Sequence, residues 1–81
     1  MTQDKVLVWA GPNCSYCEKA LDLLEEKLLG NSIDYRIVGE RYYWTKEQFI
    51  EANPDKKTVP QIYINDKYIG GYTELVEYFK Q

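Results

Sequence analysis

The sequence predicts an α/β fold: a four-stranded mixed sheet, built as βαβ and then ββα, flanked by three helices. Three observations carry this reading. The apolar run Val6-Leu7-Val8-Trp9 leads through Gly11-Pro12-Asn13 into a segment of helical periodicity and then to a second strand-like stretch, which is the pattern of a parallel βαβ unit. Asn65-Asp66 separates two short strand-like runs, a hairpin signal. A final amphipathic segment, Tyr72 to Phe79, follows a double glycine.

In chain order, Lys5 to Ala10 is the first strand, and its continuous apolar character implies burial on both faces. Asn13 is the expected N-cap of the first helix. Beyond it, Cys17, Ala20, Leu21, Leu24 and Leu28 form the apolar stripe, with Glu18, Asp22, Glu25 and Glu26 on the wet side. Gly30-Asn31 is the expected stop. Asp34 to Val38 is the second strand. Arg41-Tyr42-Tyr43-Trp44 reads either as a partner-binding platform or as a helix entry. Thr45 and Gln48 favour the second, as a capping box with Trp44 stapling onto Phe49. The helix Lys46 to Ala52 stops at Asn53-Pro54. Gln61 to Ile64 and Lys67 to Ile69 form the hairpin, with Pro60 at a strand start where no N–H is needed. Thr73 is the expected cap of the last helix.

Composition narrows the function. The chain has 81 residues, a formal net charge of −3 and no histidine. It is read as one domain, 1–81, with no electrostatic footprint for nucleic acid. No apolar segment approaches the roughly 18 residues that span a membrane. No signal peptide is legible at the N-terminus, so the cytoplasm is the expected compartment.

The two cysteines are Cys14 and Cys17. A zinc site needs about four Cys or His ligands and finds only these two. A structural disulfide this short closes too small a loop to constrain the unfolded chain much. Two inert buried thiols are the other competing reading. A strand feeding C-x-x-C at a helix N-terminus points instead to thiol-disulfide exchange, because unpaired N–H groups and the helix dipole stabilise a thiolate. Cys14 stands at the mouth and Cys17 on the buried stripe. Cys14 is therefore read as the attacking sulfur and Cys17 as the resolving one.

Cys14-Ser15-Tyr16-Cys17, Thr58-Val59-Pro60-Gln61 and Gly70-Gly71-Tyr72-Thr73-Glu74, in this order, resemble the small dithiol glutaredoxins of bacteria and phages, over Val6 to Phe79. The resemblance implies a thioredoxin fold and a glutathione-dependent disulfide oxidoreductase. Its substrates would be glutathionylated proteins or protein disulfides such as that of ribonucleotide reductase. It implies glutathione as reducing co-substrate, no required metal, no membrane or nucleic-acid partner, and a monomer. It further implies a cis Val59-Pro60 bond facing the cysteines and pairing of Val59 backbone with the cysteinyl moiety of glutathione. Tyr16, Thr58, Val59, Pro60, Gly71, Tyr72, Thr73 and Glu74 would form the glutathione site, with Gly70 and Gly71 letting the γ-glutamyl end reach the last helix. Lys56 or Lys57 would meet the glycine carboxylate. Three positions depart from the family pattern. Ser15 replaces the usual proline, and in the family a non-proline residue at this position is associated with [2Fe–2S] binding between two protomers, here through Cys14 and glutathione. Gly11 replaces a usual Lys or Arg, and Glu74 replaces a usual Asp. A thioredoxin-like reductase and a homodimeric cluster carrier are the alternative functions.

Overall fold

In a computed structural model, which describes residues 4–28 and 32–80, the chain forms β1 (Lys5–Ala10), α1 (Ser15–Lys27), β2 (Ser32–Ile37), α2 (Lys46–Ala52), β3 (Gln61–Ile64), β4 (Lys67–Gly70) and α3 (Tyr72–Lys80). The expected helix stop at Gly30-Asn31 lies outside the described residues. The strands make one sheet in the order β2-β1-β3-β4. β1 runs parallel to β2 and antiparallel to β3, and β3 pairs antiparallel with β4. This is the four-stranded mixed sheet with three helices that the sequence predicts. Among the described residues no helix is long and apolar enough to cross a membrane.

The alternation of β1 divides the sheet into two faces. Val6, Val8 and Ala10 join Ile62 and Ile64 of β3, Cys17, Ala20 and Leu24 of α1, and Leu75 of α3 in one buried cluster. Leu24, Ile62 and Leu75 are fully buried, and each contributes about 1.5–3 kcal/mol relative to exposure. Trp9 points to the other face, where it meets Trp44 and Phe49 edge-on at ring-centroid distances of 5.4 and 5.9 Å. The staple expected between Trp44 and Phe49 thus runs through Trp9. The capping box itself is present: Gln48 N–H donates to Thr45 Oγ1, and Thr45 N–H donates to Gln48 Oε1.

Boundaries differ from the sequence reading in two strands. β2 begins at Ser32, because Lys5 pairs with Ser32 in the parallel ladder. It ends at Ile37, and Val38 forms a single bridge to Trp44 instead. The Arg41–Trp44 segment is closed into a loop by Gly39, whose N–H donates to the Trp44 carbonyl at 3.0 Å. Tyr43 in it remains 84% exposed. β4 extends one residue further, to Gly70, which pairs with Ile62 across a register shift. The Asn65-Asp66 turn is as read. Both residues take positive φ, 53° and 67°, as a two-residue hairpin requires.

Asn53 ends α2 and ties it to the sheet. It is 2% exposed. Its Nδ2 donates to the Phe49 carbonyl at 3.0 Å, and its Oδ1 accepts from the Tyr63 hydroxyl. Burial, then the neighbouring Tyr68, raise the Tyr63 pKa above its ordinary value, so this hydroxyl stays a donor across the physiological range. Asn53→Ala strips a partner from Tyr63 and is expected to cost on the order of 2 kcal/mol, a melting-temperature fall on the order of 10 °C. A thermal double-mutant cycle with Tyr63→Phe checks it: additive effects would mean the pair is not coupled.

Candidate active site

Chain geometry at the end of β1 sets the position of the first cysteine. Asn13 takes a left-handed φ of 53°, a conformation asparagine tolerates, and this turns the chain into α1. The cap is therefore Cys14, not Asn13. Cys14 is extended at φ −111°, ψ 101°, and its Sγ accepts from the Cys17 N–H at 3.2 Å. Asn13 is displaced from that role because its φ is already used for the turn. The sulfur occupies the place where a capping oxygen ordinarily sits, at the positive end of a 13-residue helix.

Cys14 and Cys17 form a disulfide with Cα atoms 5.2 Å apart. Their surroundings differ. Cys17 is 0% exposed among Val8, Ala20 and Leu24, whereas Cys14 packs at the edge of this cluster and keeps part of its surface open. Only Cys14 can meet an incoming disulfide without opening the core.

A groove of about 420 Å³ takes in Tyr16, the residue before Cys17, although neither cysteine is among the residues that line it. Tyr16, Thr58, Val59, Pro60, Gly71, Tyr72, Thr73 and Glu74 all line it, so three segments distant in sequence share one surface. The Val59-Pro60 peptide is cis. Tyr16 is 59% exposed, its ring 6.0 Å from that of Tyr72. Both Lys56 and Lys57 line the groove, and Lys56 has its ammonium 4.6 Å from the Tyr68 ring centroid. A larger cavity, about 660 Å³, lies on the opposite sheet face against Trp9 and Arg36 and takes in none of the predicted site residues.

The last helix starts differently from the sequence reading. Leu75 N–H donates to the Gly71 carbonyl at 3.0 Å, which makes Gly71 the N-cap residue and puts Thr73 inside the helix. Glu74 Oε1 reaches back to accept the Gly71 N–H at 2.7 Å, the reciprocal half of a capping box. Gly70 has φ +127°, and a Cβ there would stand 2.8 Å from Glu74 Cβ and Cγ. Its glycine is required by the chain's own fold-back. Gly11 also has a local reason, since a Cβ there would stand 3.2 Å from Val59 Cγ2.

Asp55, Gln61 and Tyr68 also line the groove and were not among the residues singled out from sequence. Gln61 was visible as the last letter of T-V-P-Q. Tyr68 was hidden, because its place opposite Tyr63 across the β3–β4 hairpin is a cross-strand relation outside the motifs.

A family model described as Glutaredoxin matches residues 6–69. Glutaredoxin 1 of Rickettsia conorii is 35% identical over 78 residues, 94% of this chain and 72% of that protein. Glutaredoxin 1 of Escherichia coli is 30% identical over 82 residues, 95% of this chain and 94% of that protein. Among solved structures, the crystal structure of Glutaredoxin 1 from Francisella tularensis complexed with cacodylate is similar at a TM-score of 0.76 and 30% identity, covering 95% of this chain and 93% of that one.

Proposed function

Since the chain belongs to the glutaredoxin family and is a thiol-disulfide oxidoreductase, we propose that its reductant is glutathione and that it acts on glutathione mixed disulfides and protein disulfides in a reducing compartment such as the cytoplasm. The observation that carries this reading is the groove: all eight residues that the resemblance assigns to glutathione line one surface, which takes in Tyr16 from within the Cys14–Cys17 motif. Val59 offers its backbone to the cysteinyl moiety. Tyr16 and Tyr72 flank it, and the start of α3, with Gly71, Thr73 and Glu74, takes the γ-glutamyl end.

The reaction is a pair of exchanges. The Cys14 thiolate attacks the glutathionyl sulfur of a mixed disulfide, the old S–S bond breaks, and the substrate leaves as a thiolate that takes a proton. A second glutathione thiolate then attacks the same sulfur, releasing oxidised glutathione and restoring Cys14. On a protein disulfide Cys14 bonds to one substrate sulfur as the substrate S–S bond breaks and the other sulfur leaves as a thiolate; the Cys17 thiolate then attacks Cys14 Sγ, forming the Cys14–Cys17 bond and releasing the first sulfur as a thiolate. Two glutathiones reduce that bond.

The test is steady-state reduction of a glutathionylated peptide by the native protein, driven in one arm by glutathione with its reductase and in the other by thioredoxin reductase. Turnover with glutathione alone is expected. Turnover only with thioredoxin reductase would replace this reading by the thioredoxin-like one. A visible-absorbing dimer without exchange activity would replace it by the cluster-carrier reading.

A further inference from the structure

Tyr68 stands on β4, outside the three motifs that carry the family resemblance, and reaches the groove by two routes. Its hydroxyl donates to Gln61 Oε1 at 2.6 Å, and Gln61 Nε2 donates to the Thr58 carbonyl at 2.8 Å. The direction of this relay is fixed. A carbonyl only accepts, so it selects the amide nitrogen of Gln61 and leaves the amide oxygen for the tyrosine O–H. Gln61 is 5% exposed, so an amide left without partners there is costly. Because a peptide unit is planar, holding the Thr58 carbonyl also holds the Val59 N–H on the opposite side of the same plane. The second route is the ring. Lys56 Nζ lies 4.6 Å from its centroid, and the Lys56 N–H donates to the Asn53 carbonyl at 3.0 Å. Lys56 is thus anchored at both ends of its side chain, and its charge faces the groove.

We propose that Tyr68 is a positioning residue for substrate, setting the Thr58–Val59 peptide plane through Gln61 and seating the Lys56 ammonium where a substrate carboxylate is read. The proposal deepens the glutathione reading and rests on it. Neither route touches Cys14, so the effect falls on binding and not on the exchange step.

Two variants separate the routes. Tyr68→Phe keeps the ring and removes the hydroxyl; Tyr68→Leu removes both. Each is assayed on the glutathione mixed disulfide of a peptide and on its counterpart built from the glutathione analogue with a glycinamide end. Tyr68→Phe is expected to raise KM on both substrates about fivefold with kcat unchanged, the equivalent of one lost hydrogen bond. Tyr68→Leu is expected to add a further factor of about three on the carboxylate substrate alone. A native KM in Tyr68→Phe overturns the proposal. So does a loss spread over kcat on both substrates in step with the melting temperature, which marks a residue that only holds the fold. If the native protein does not turn over glutathione substrates, the glutathione reading fails, and the relay is read by NMR on the Gln61 side-chain NH2. Exchange with water that quickens in Tyr68→Phe supports the positioning role, and unchanged exchange overturns it.

Discussion

Cys14→Ser is expected to abolish turnover of glutathione mixed disulfides, by roughly a thousandfold or more, while Cys17→Ser keeps most of it and loses only reduction of protein disulfides. The asymmetry follows from where the two sulfurs sit. Cys17 is 0% exposed within the apolar cluster, so no substrate sulfur reaches it before Cys14 has reacted. The group that Cys17 contributes to Cys14 is its backbone N–H, which donates to Cys14 Sγ at 3.2 Å. Serine at position 17 retains that N–H, so stabilisation of the Cys14 thiolate survives the substitution. What that stabilisation achieves can be decided by magnitude. A free thiol is only about 3% ionised at pH 7, so full ionisation raises the thiolate about 30-fold. A less basic thiol in general attacks more weakly and leaves more readily. A stabilised thiolate therefore gains most where it departs, which in the proposed cycle is the release of Cys14 from the mixed disulfide under attack by glutathione. That step does not involve Cys17. Steady-state assays of both variants on a glutathionylated peptide and on a protein disulfide check the prediction. A Cys17→Ser variant inert on the peptide would show that both thiols are needed for every substrate.

How much of this was legible beforehand depended on how local each signal was. The cysteine pair, the Thr45–Gln48 box and the Asn65-Asp66 turn are written within four or fewer residues, and the structure has all of them. The strands were located because the Val6–Ala10 run and the hairpin pattern carry their own periodicity, but the end of β2 was not. Val38 keeps a hydrogen bond from its N–H to the Ala10 carbonyl at 2.9 Å but forms its bridge with Trp44, a contact that no pattern around residue 38 announces. Both misplaced caps have one cause. Asn13 and Thr73 are good capping residues by chemistry, yet the role goes to the residue with the right backbone. That residue is Cys14 in one helix and Gly71 in the other. In the groove, motif residues were legible and the residues supporting them were not. Tyr68 reaches Gln61 because it pairs opposite Tyr63 across the hairpin, and Tyr63 and Gln61, two apart on β3, share a face, a cross-strand relation that no motif carries.

Gly70→Ala is expected to destabilise the protein by about 3 kcal/mol. At φ +127° a side chain is strained whatever the space around it, and here there is none: the new Cβ would meet Glu74 Cβ and Cγ at 2.8 Å. Backbone strain of this kind costs about 1–3 kcal/mol. Pushing Glu74 aside also gives up its 2.7 Å bond to the Gly71 N–H, worth about 1 kcal/mol. Domains of this size are stable by only about 4–12 kcal/mol, so the melting temperature should fall on the order of 15 °C. Two further variants locate the cause. Gly71→Ala meets only the flexible end of Glu74, Oε1 at 3.3 Å, and the Pro60 carbonyl oxygen at 3.6 Å, and it should cost less than about 1 kcal/mol. Glu74→Ala removes Cγ and the carboxylate but keeps Cβ, so Gly70→Ala should stay costly in that background. Thermal melts of the single and double variants decide the matter. A Gly70→Ala protein that melts with the native one would mean this backbone does not need glycine. Rescue by Glu74→Ala would assign the penalty to the carboxylate arm and not to the turn into α3.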